Sequence, residues 1–369
     1  VSIPLVDLRA QQAEIADEVE PLVLEALRSG GFIGGPHVAE FEKAYAEFVG
    51  VEHCIGVGNG TDAVELALRA VGVAAGDEVI VPGNTFIATA EAVSRIGARP
   101  VPVDVDDDHQ LISPDAVAAA ITPRTRAIVP VHLFGQVAPV EAIEPIAAAA
   151  GIPIVEDAAQ SQGASRHGRR AGGLGRIAAT SFYPGKNLGA SGDAGGVTTD
   201  DLALADRVRL LANHGSAVKY RHDIVGMNSR LDPIHAITLA AKLRRLERWN
   251  DLRQRAAAHY ADLLAGVPGV RLPTSLTGNR DVWHLYVIRL RDRDRVLREL
   301  NAAGIGAGLH YPEPWYLTPA YAGLGFGPGT CPVAEHAAGE ILSLPMYPHL
   351  VDEQQVTVSN RLRAAVGDG

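Results

Sequence analysis

Between Cys54 and Glu156 the sequence repeats one unit: a short apolar run, a glycine or polar turn, then an alanine-rich segment long enough for a helix. The runs are Cys54 to Val57, Val79 to Pro82, Arg99 to Val103, Ala127 to Val131 and Ile152 to Glu156. Strand followed by helix, repeated, lays successive strands side by side in one direction, which predicts an α/β domain on a mostly parallel sheet. Ligands of such sheets gather beyond the carboxyl ends of the strands. Gly58 to Thr61, Phe86, His132 and Asp157 each follow a predicted strand and are candidates to face a ligand.

At 369 residues the chain exceeds the roughly 250–300 that one core usually serves, so a large domain and a smaller one are expected. Two amphipathic helices precede the first strand: Ile15, Val19, Leu22, Val23 and Leu27 mark one, ending at Gly30-Gly31, and Val38, Phe41, Tyr45 and Phe48 the other. A long helical stretch from Ile234 to Leu263 carries the boundary, which gives a large domain over 1–245 and a small C-terminal domain over 246–369. Within the latter, a strand over Trp283 to Leu290 and helices over Arg293 to Ala303 and Val333 to Glu340 form a second α/β unit that could close over a ligand.

Composition removes several classes of function. A net charge of −10 argues against a nucleic-acid-coating surface, whose affinity comes from neutralising phosphates, although a local site for a phosphorylated small molecule is still allowed. No apolar run approaches the ~20 residues that cross a bilayer, and the opening VSIPLVDLRAQQAEI lacks a signal core, so no membrane partner and a cytoplasmic location are expected. Cys54 and Cys331 sit in no CxxC spacing, which supports neither a metal site nor a disulfide framework.

Chemistry is most visible at Ser181-Phe182-Tyr183-Pro184-Gly185-Lys186-Asn187-Leu188-Gly189-Ala190. The chain has only four lysines among 33 basic residues, and one of them stands in this glycine-flanked turn of a predicted β-hairpin. Arginine cannot lose its proton and attack a carbonyl, whereas a lysine made less basic by burial can form a Schiff base. Lys186 is the candidate nucleophile, and Ser181 is close enough in sequence to face the same pocket.

Gly58-Asn59-Gly60-Thr61-Asp62-Ala63 delivers a helix N-terminus, which taken alone reads as an ordinary strand-to-helix turn and otherwise as a site whose free N–H groups and dipole bind a phosphate. A dinucleotide fingerprint fails here, because the third glycine position is Thr61 and the acids Asp77 and Glu78 precede the next strand. Asp157 ends an apolar strand, either as a helix N-cap or as a functional carboxylate, while the preceding Glu156 should point to the opposite face. His132 reads as a structural histidine.

Together these segments, with Val155 to Ser161, Gly226-Met227-Asn228-Ser229-Arg230-Leu231-Asp232 and His310-Tyr311-Pro312, resemble the DegT/DnrJ/EryC1/StrS sugar aminotransferases, and they occur in family order over nearly the whole chain. The resemblance implies the pyridoxal 5′-phosphate-dependent transferase fold of type I, similar to aspartate aminotransferase. It implies that Lys186 binds the cofactor aldehyde and shuttles a proton, that Asp157 pairs with the pyridinium nitrogen, and that Phe86 stacks on the ring. Gln160 would lie near the phenolic oxygen, with Gly60, Thr61 and Ser181 holding the phosphate and Asn228 coming from the neighbouring subunit of a homodimer. Tyr183, Lys219, His310 and Tyr311 would contact a nucleotide-sugar.

The implied reaction moves an amino group from L-glutamate, through the pyridoxamine form, to C3 of a dTDP-linked keto-deoxysugar in amino-sugar biosynthesis. Amination at C4 is the alternative. A sugar dehydratase is disfavoured because those relatives replace the lysine with histidine, and a non-catalytic regulator because the whole residue set is present.

Overall fold

The computed structural model describes residues 2–367. Three parallel strands, in the order Arg99–Val103, Glu78–Pro82 and Thr125–Ile128, lie beside four in the order Val155–Asp157, Ile177–Ser181, Gly195–Thr199 and His53–Val57. Parallel bridges Ile128–Ile154 and Val131–Asp157 join the three to the four, and in the resulting sheet only Gly195–Thr199 runs against the rest. The run predicted over Ala127 to Val131 is a regular strand over Thr125–Ile128; Val129 N–H still donates to the Ile80 carbonyl at 2.9 Å and Val131 bridges Asp157, but Pro130 between them has no N–H to continue the ladder.

Both faces of this sheet are covered, which is what a parallel sheet needs. Val79 and Val81 point into one apolar cluster with the helices Gly60–Ala70, Ile87–Arg95 and Leu202–Ala212, and Ile80 between them points into a second with Val140–Ala150. The strand is consequently buried at every position. Strands Ile177–Ser181 and Gly195–Thr199 pair antiparallel up to Ser181–Gly195, so the hairpin expected around Lys186 is present, with a long tip that carries the lysine.

The helical stretch predicted from Ile234 to Leu263 is two helices, Pro233–Leu243 and Leu246–Leu264. At the break, Arg245 Nη1 donates to the Ala241 carbonyl at 2.8 Å and to Glu18 Oε2 at 3.0 Å, filling a helix-end carbonyl and tying the junction to the first helix, Leu8–Ser29. Beyond it stands an antiparallel sheet ordered Val270–Arg271, Tyr286–Leu290, Ile341–Leu344, packed on Arg293–Ala302 and Asp352–Gly367. The chain's start joins this second core: Ile3 N–H donates to the Gly304 carbonyl at 2.9 Å, and Gly306 N–H to the Ile3 carbonyl at 2.7 Å. No helix among the described residues is long and apolar enough to cross a membrane.

Candidate active site

A cavity of about 1370 Å³ opens at the carboxyl ends of the parallel strands, between the large sheet and the second unit. Gly60, Thr61, Phe86, Asp157, Gln160, Ser181, Tyr183, Lys186, His310 and Tyr311 all line it. The topology gathers them, because each follows a strand of the central sheet or, for the last two, approaches from the second unit.

The hairpin tip sets Lys186 in a tight turn, its N–H donating to the Tyr183 carbonyl at 2.9 Å. Burial pushes the basicity of its amine down to about 8, and the negative charge of Asp157 opposes the shift only in part. The lysine can therefore shed its proton near neutrality, as a carbonyl-attacking amine must.

Asp157 is buried and held from two sides: Thr89 Oγ1 donates to Oδ2 at 2.8 Å and Ala159 N–H to Oδ1 at 3.1 Å. Thr89 is itself steadied by Thr85 Oγ1 at 3.0 Å. A carboxylate so fixed, facing a cavity that also holds a lysine, suits a cationic ring nitrogen. The two sequence readings of Asp157 meet here, since the Ala159 contact is a turn cap and the other oxygen serves the pocket.

Glu156 points to the opposite face, as strand alternation requires. Its Oε1 accepts from Leu174 and Gly175 N–H, each at 2.7 Å, and its Oε2 accepts from Gly172 N–H at 2.8 Å and meets His132 Nε2 at 2.7 Å. Ala138 N–H donates to His132 Nδ1 at 3.1 Å, so the proton sits on Nε2. His132 is fully buried in this knot and does not line the cavity.

The helix Gly60–Ala70 aims its N-terminus at the cavity, capped by Asn59 Oδ1, which accepts from Asp62 N–H at 2.8 Å. Gly60 is required by close approach: a Cβ there would lie 2.5 Å from Ser181 Cβ. The result is a concave wall of N–H groups and two hydroxyls, Thr61 and Ser181, fitted to a phosphate.

Phe86 packs against Tyr311 with ring centroids 5.1 Å apart, its own ring still half exposed towards the cavity. Gln160 bridges them to the wall, accepting from Phe134 N–H at 2.7 Å and donating to Tyr311 Oη at 3.0 Å. His310 is tied through Nδ1 to Ser343 Oγ at 2.8 Å, and burial with the nearby Lys186 charge holds it down at about 4, hence neutral.

Two expected residues lie elsewhere. Lys219 is exposed, its ammonium 5.0 Å from the Tyr220 ring, and Asn228 pairs with Asn213 and with Arg230 Nη1, which donates to it at 2.7 Å; neither lines this chain's cavity. Conversely, Thr89 and His284 line the cavity although the sequence does not single them out, and Asn187 lies behind it, its Oδ1 3.2 Å from His284 Nδ1. Thr89 lies one helical turn beyond the candidate Phe86, whereas nothing in spacing links His284 to Lys186.

The arrangement fits pyridoxal 5′-phosphate: an anion cradle, a carboxylate, an aromatic wall and a weakly basic lysine around one cavity. The sequence matches the DegT/DnrJ/EryC1/StrS aminotransferase family over residues 13–363. The chain belongs to this family. It is similar to the erythromycin biosynthesis sensory transduction protein EryC1 of Saccharopolyspora erythraea, with 48% identity over 99% of this chain and 100% of the relative. Similar too is the dTDP-3-amino-3,4,6-trideoxy-alpha-D-glucose transaminase of Streptomyces venezuelae, at 46% identity over 98% and 95%. The crystal structure of S. venezuelae DesV in complex with a ketimine intermediate superposes with a TM-score of 0.95, at 45% identity and 98% coverage of each chain. The fold is accordingly type I, and the protein is a pyridoxal-phosphate-dependent sugar aminotransferase.

Proposed function

We propose that this enzyme moves an amino group from L-glutamate to the C3 keto group of a dTDP-linked keto-deoxysugar, working in the cytoplasm as a homodimer with shared sites. The observation that carries the reading is Lys186, a lysine of lowered basicity facing the same cavity as the doubly held carboxylate of Asp157. The C3 position is supported by the Streptomyces venezuelae relative, which is named as a 3-amino-sugar transaminase.

When bound, pyridoxal phosphate supplies an electron sink that lets an amino group and a proton be exchanged at carbon. Asp157 would keep a proton on the ring nitrogen, Phe86 would stack on the ring, and Gln160 would lie near the phenolic oxygen. Gly60, Thr61 and Ser181 would hold the phosphate. Lys186, as a free amine, would carry the proton between the substrate carbon and the cofactor carbon C4′. Tyr183, His310 and Tyr311 would contact the sugar, His310 as a neutral ring.

Asn228 and Lys219 are assigned to the partner's cavity. Support comes from their loop, where Val218, Tyr220 and Val225 stand exposed at 63%, 84% and 93%, apolar surface that a second copy would cover. The test is spectroscopic: the purified protein should absorb visible light through cofactor bound to Lys186, L-glutamate should shift the band, and Lys186→Ala should abolish it. A protein that takes up no cofactor and ignores glutamate would sink the reading. Offering 3-keto and 4-keto nucleotide sugars and reading the product by NMR decides the position, and amination only at C4 would overturn C3.

A further inference from the structure

The segment from Ile3 to Asp7, ahead of the first helix, is tied down at three points. Ile3 exchanges backbone bonds with Gly304 and Gly306, and Met346 N–H donates to the Leu5 carbonyl at 3.1 Å. Asp7 caps the helix Leu8–Ser29, its Oδ1 accepting from Arg9 and Ala10 N–H at 2.9 and 3.1 Å. Between these ties Leu5 and Val6 stand half-buried, and both line the cavity that Lys186 faces.

Leu5 is a neighbour of the histidine proposed to meet the sugar. A Cβ placed on Gly308 would lie 3.4 Å from Leu5 Cδ2 and 3.2 Å from His310 Cε1, so the two side chains flank one glycine. The approach is close along the whole segment, since a Cβ on Gly306 would lie 2.6 Å from Leu5 N. Burial, and after it the charge of Lys186, keeps the His310 ring neutral, which places this corner of the cavity within reach of the lysine's field. Leucine and valine side chains carry no donor and no acceptor. A sugar hydroxyl turned towards them gives up its bonds to water and gains none, whereas a methyl group turned there gives up nothing.

We propose that Leu5 and Val6 determine specificity for the sugar, forming the wall that receives the C6 methyl group of a 6-deoxyhexose and discriminates against the same sugar with a hydroxyl on C6. C6 is the carbon that a pyranose carries outside its ring, and it is the part of the sugar that projects furthest towards a wall. The ties at Ile3, Leu5 and Asp7 hold the two side chains in place, so the wall is ready before the substrate enters. This inference rests on the proposed amination of a keto-deoxysugar.

A competition supplies the test. The full chain, loaded with pyridoxal phosphate and supplied with L-glutamate, is offered equal amounts of two dTDP-linked 3-keto sugars, one with a methyl and one with a hydroxymethyl group on C5, and the two amino products are compared by mass spectrometry. The same enzyme molecules make both products, so any loss of folded or loaded protein cancels and the early product ratio is the ratio of kcat/KM. We expect the wild type to favour the 6-deoxy sugar roughly 10- to 100-fold. The preference should fall about threefold or more in Val6→Thr, which keeps the shape and adds a hydroxyl, or in Leu5→Asn, and should hold in Leu5→Met. An even ratio in the wild type, or a preference that neither polar variant lowers, overturns the proposal and leaves the aminotransferase reading standing. Amination of neither sugar refutes that reading and this inference with it.

Discussion

Two of the chain's lysines, half-buried Lys186 and buried Lys242, lie near one loop, and desolvation pushes both down to about 8. Depressed basicity therefore does not by itself mark a nucleophile. Lys242 spends its ammonium on the Gly189 carbonyl at 2.8 Å, propping the same hairpin tip, whereas Lys186 faces the cavity. Lowered basicity has a measurable sign. At pH 7 roughly a tenth of a lysine at about 8 is neutral, against less than a thousandth of an ordinary one. The rate at which cofactor-free protein takes up pyridoxal phosphate should rise with pH and level off through about 8; a rise continuing towards 10 would contradict the burial argument. The same depression penalises folding below about 8, where the lysine is charged in both states, and the penalty is relieved as pH rises from there towards the ordinary value. Asp157→Asn should lower kcat on the order of a hundredfold while cofactor still binds, since a neutral amide cannot hold the ring proton. Steady-state kinetics beside an absorbance titration separates the two effects.

At the level of elements, the site depends on how tightly a helix start and a strand end approach. The first turn of Gly60–Ala70 meets the end of Ile177–Ser181 with room for no side chain at Gly60. Gly60→Ala would push these elements apart, and we expect cofactor affinity to weaken about tenfold or more, measured by fluorescence titration. Behind the strand Val155–Asp157, the Glu156 carboxylate receives three backbone N–H groups and His132. Glu156→Gln would set an amide N–H₂ against donors in a buried site, at a cost of roughly 3 kcal/mol, visible as a lower urea midpoint. These two carboxylates illustrate what was legible. Alternation along a strand told that Glu156 and Asp157 face opposite ways, and an apolar strand ending in acid told that both needed partners. Which partners could not be read, because Thr89, His132 and the 172–175 loop come from different crossovers.

For the whole molecule, the large sheet and the second unit are joined by charge as well as by the cavity. Asp107, after the strand Arg99–Val103, receives Arg271 at 2.6 Å and Arg289 at 2.5 Å, both from strands of the second unit. The site is thus built across two cores, and the proposed dimer adds a third contributor. Mixing refolded Lys186→Ala and Asn228→Ala chains tests that assignment. If Asn228 serves the partner, heterodimers carry one intact site, and random pairing should return about a quarter of wild-type activity. Activity no higher than the mean of the two parents would place Asn228 outside the partner's site.

By itself the sequence determined the α/β class and the mostly parallel sheet, and it singled out a lysine, an acid and a glycine turn that the structure brings to one cavity. Each of those is written in local signals: hydrophobic period, glycine turns, a reactive residue type at a strand end. Tertiary structure alone decided the break at Arg245, the addition of Ile3 to the C-terminal core, and the ties from Thr89 to Asp157 and from His284 to Asn187. Those features depend on side chains far apart in the chain, and a hydrogen bond between distant residues leaves no period in either segment.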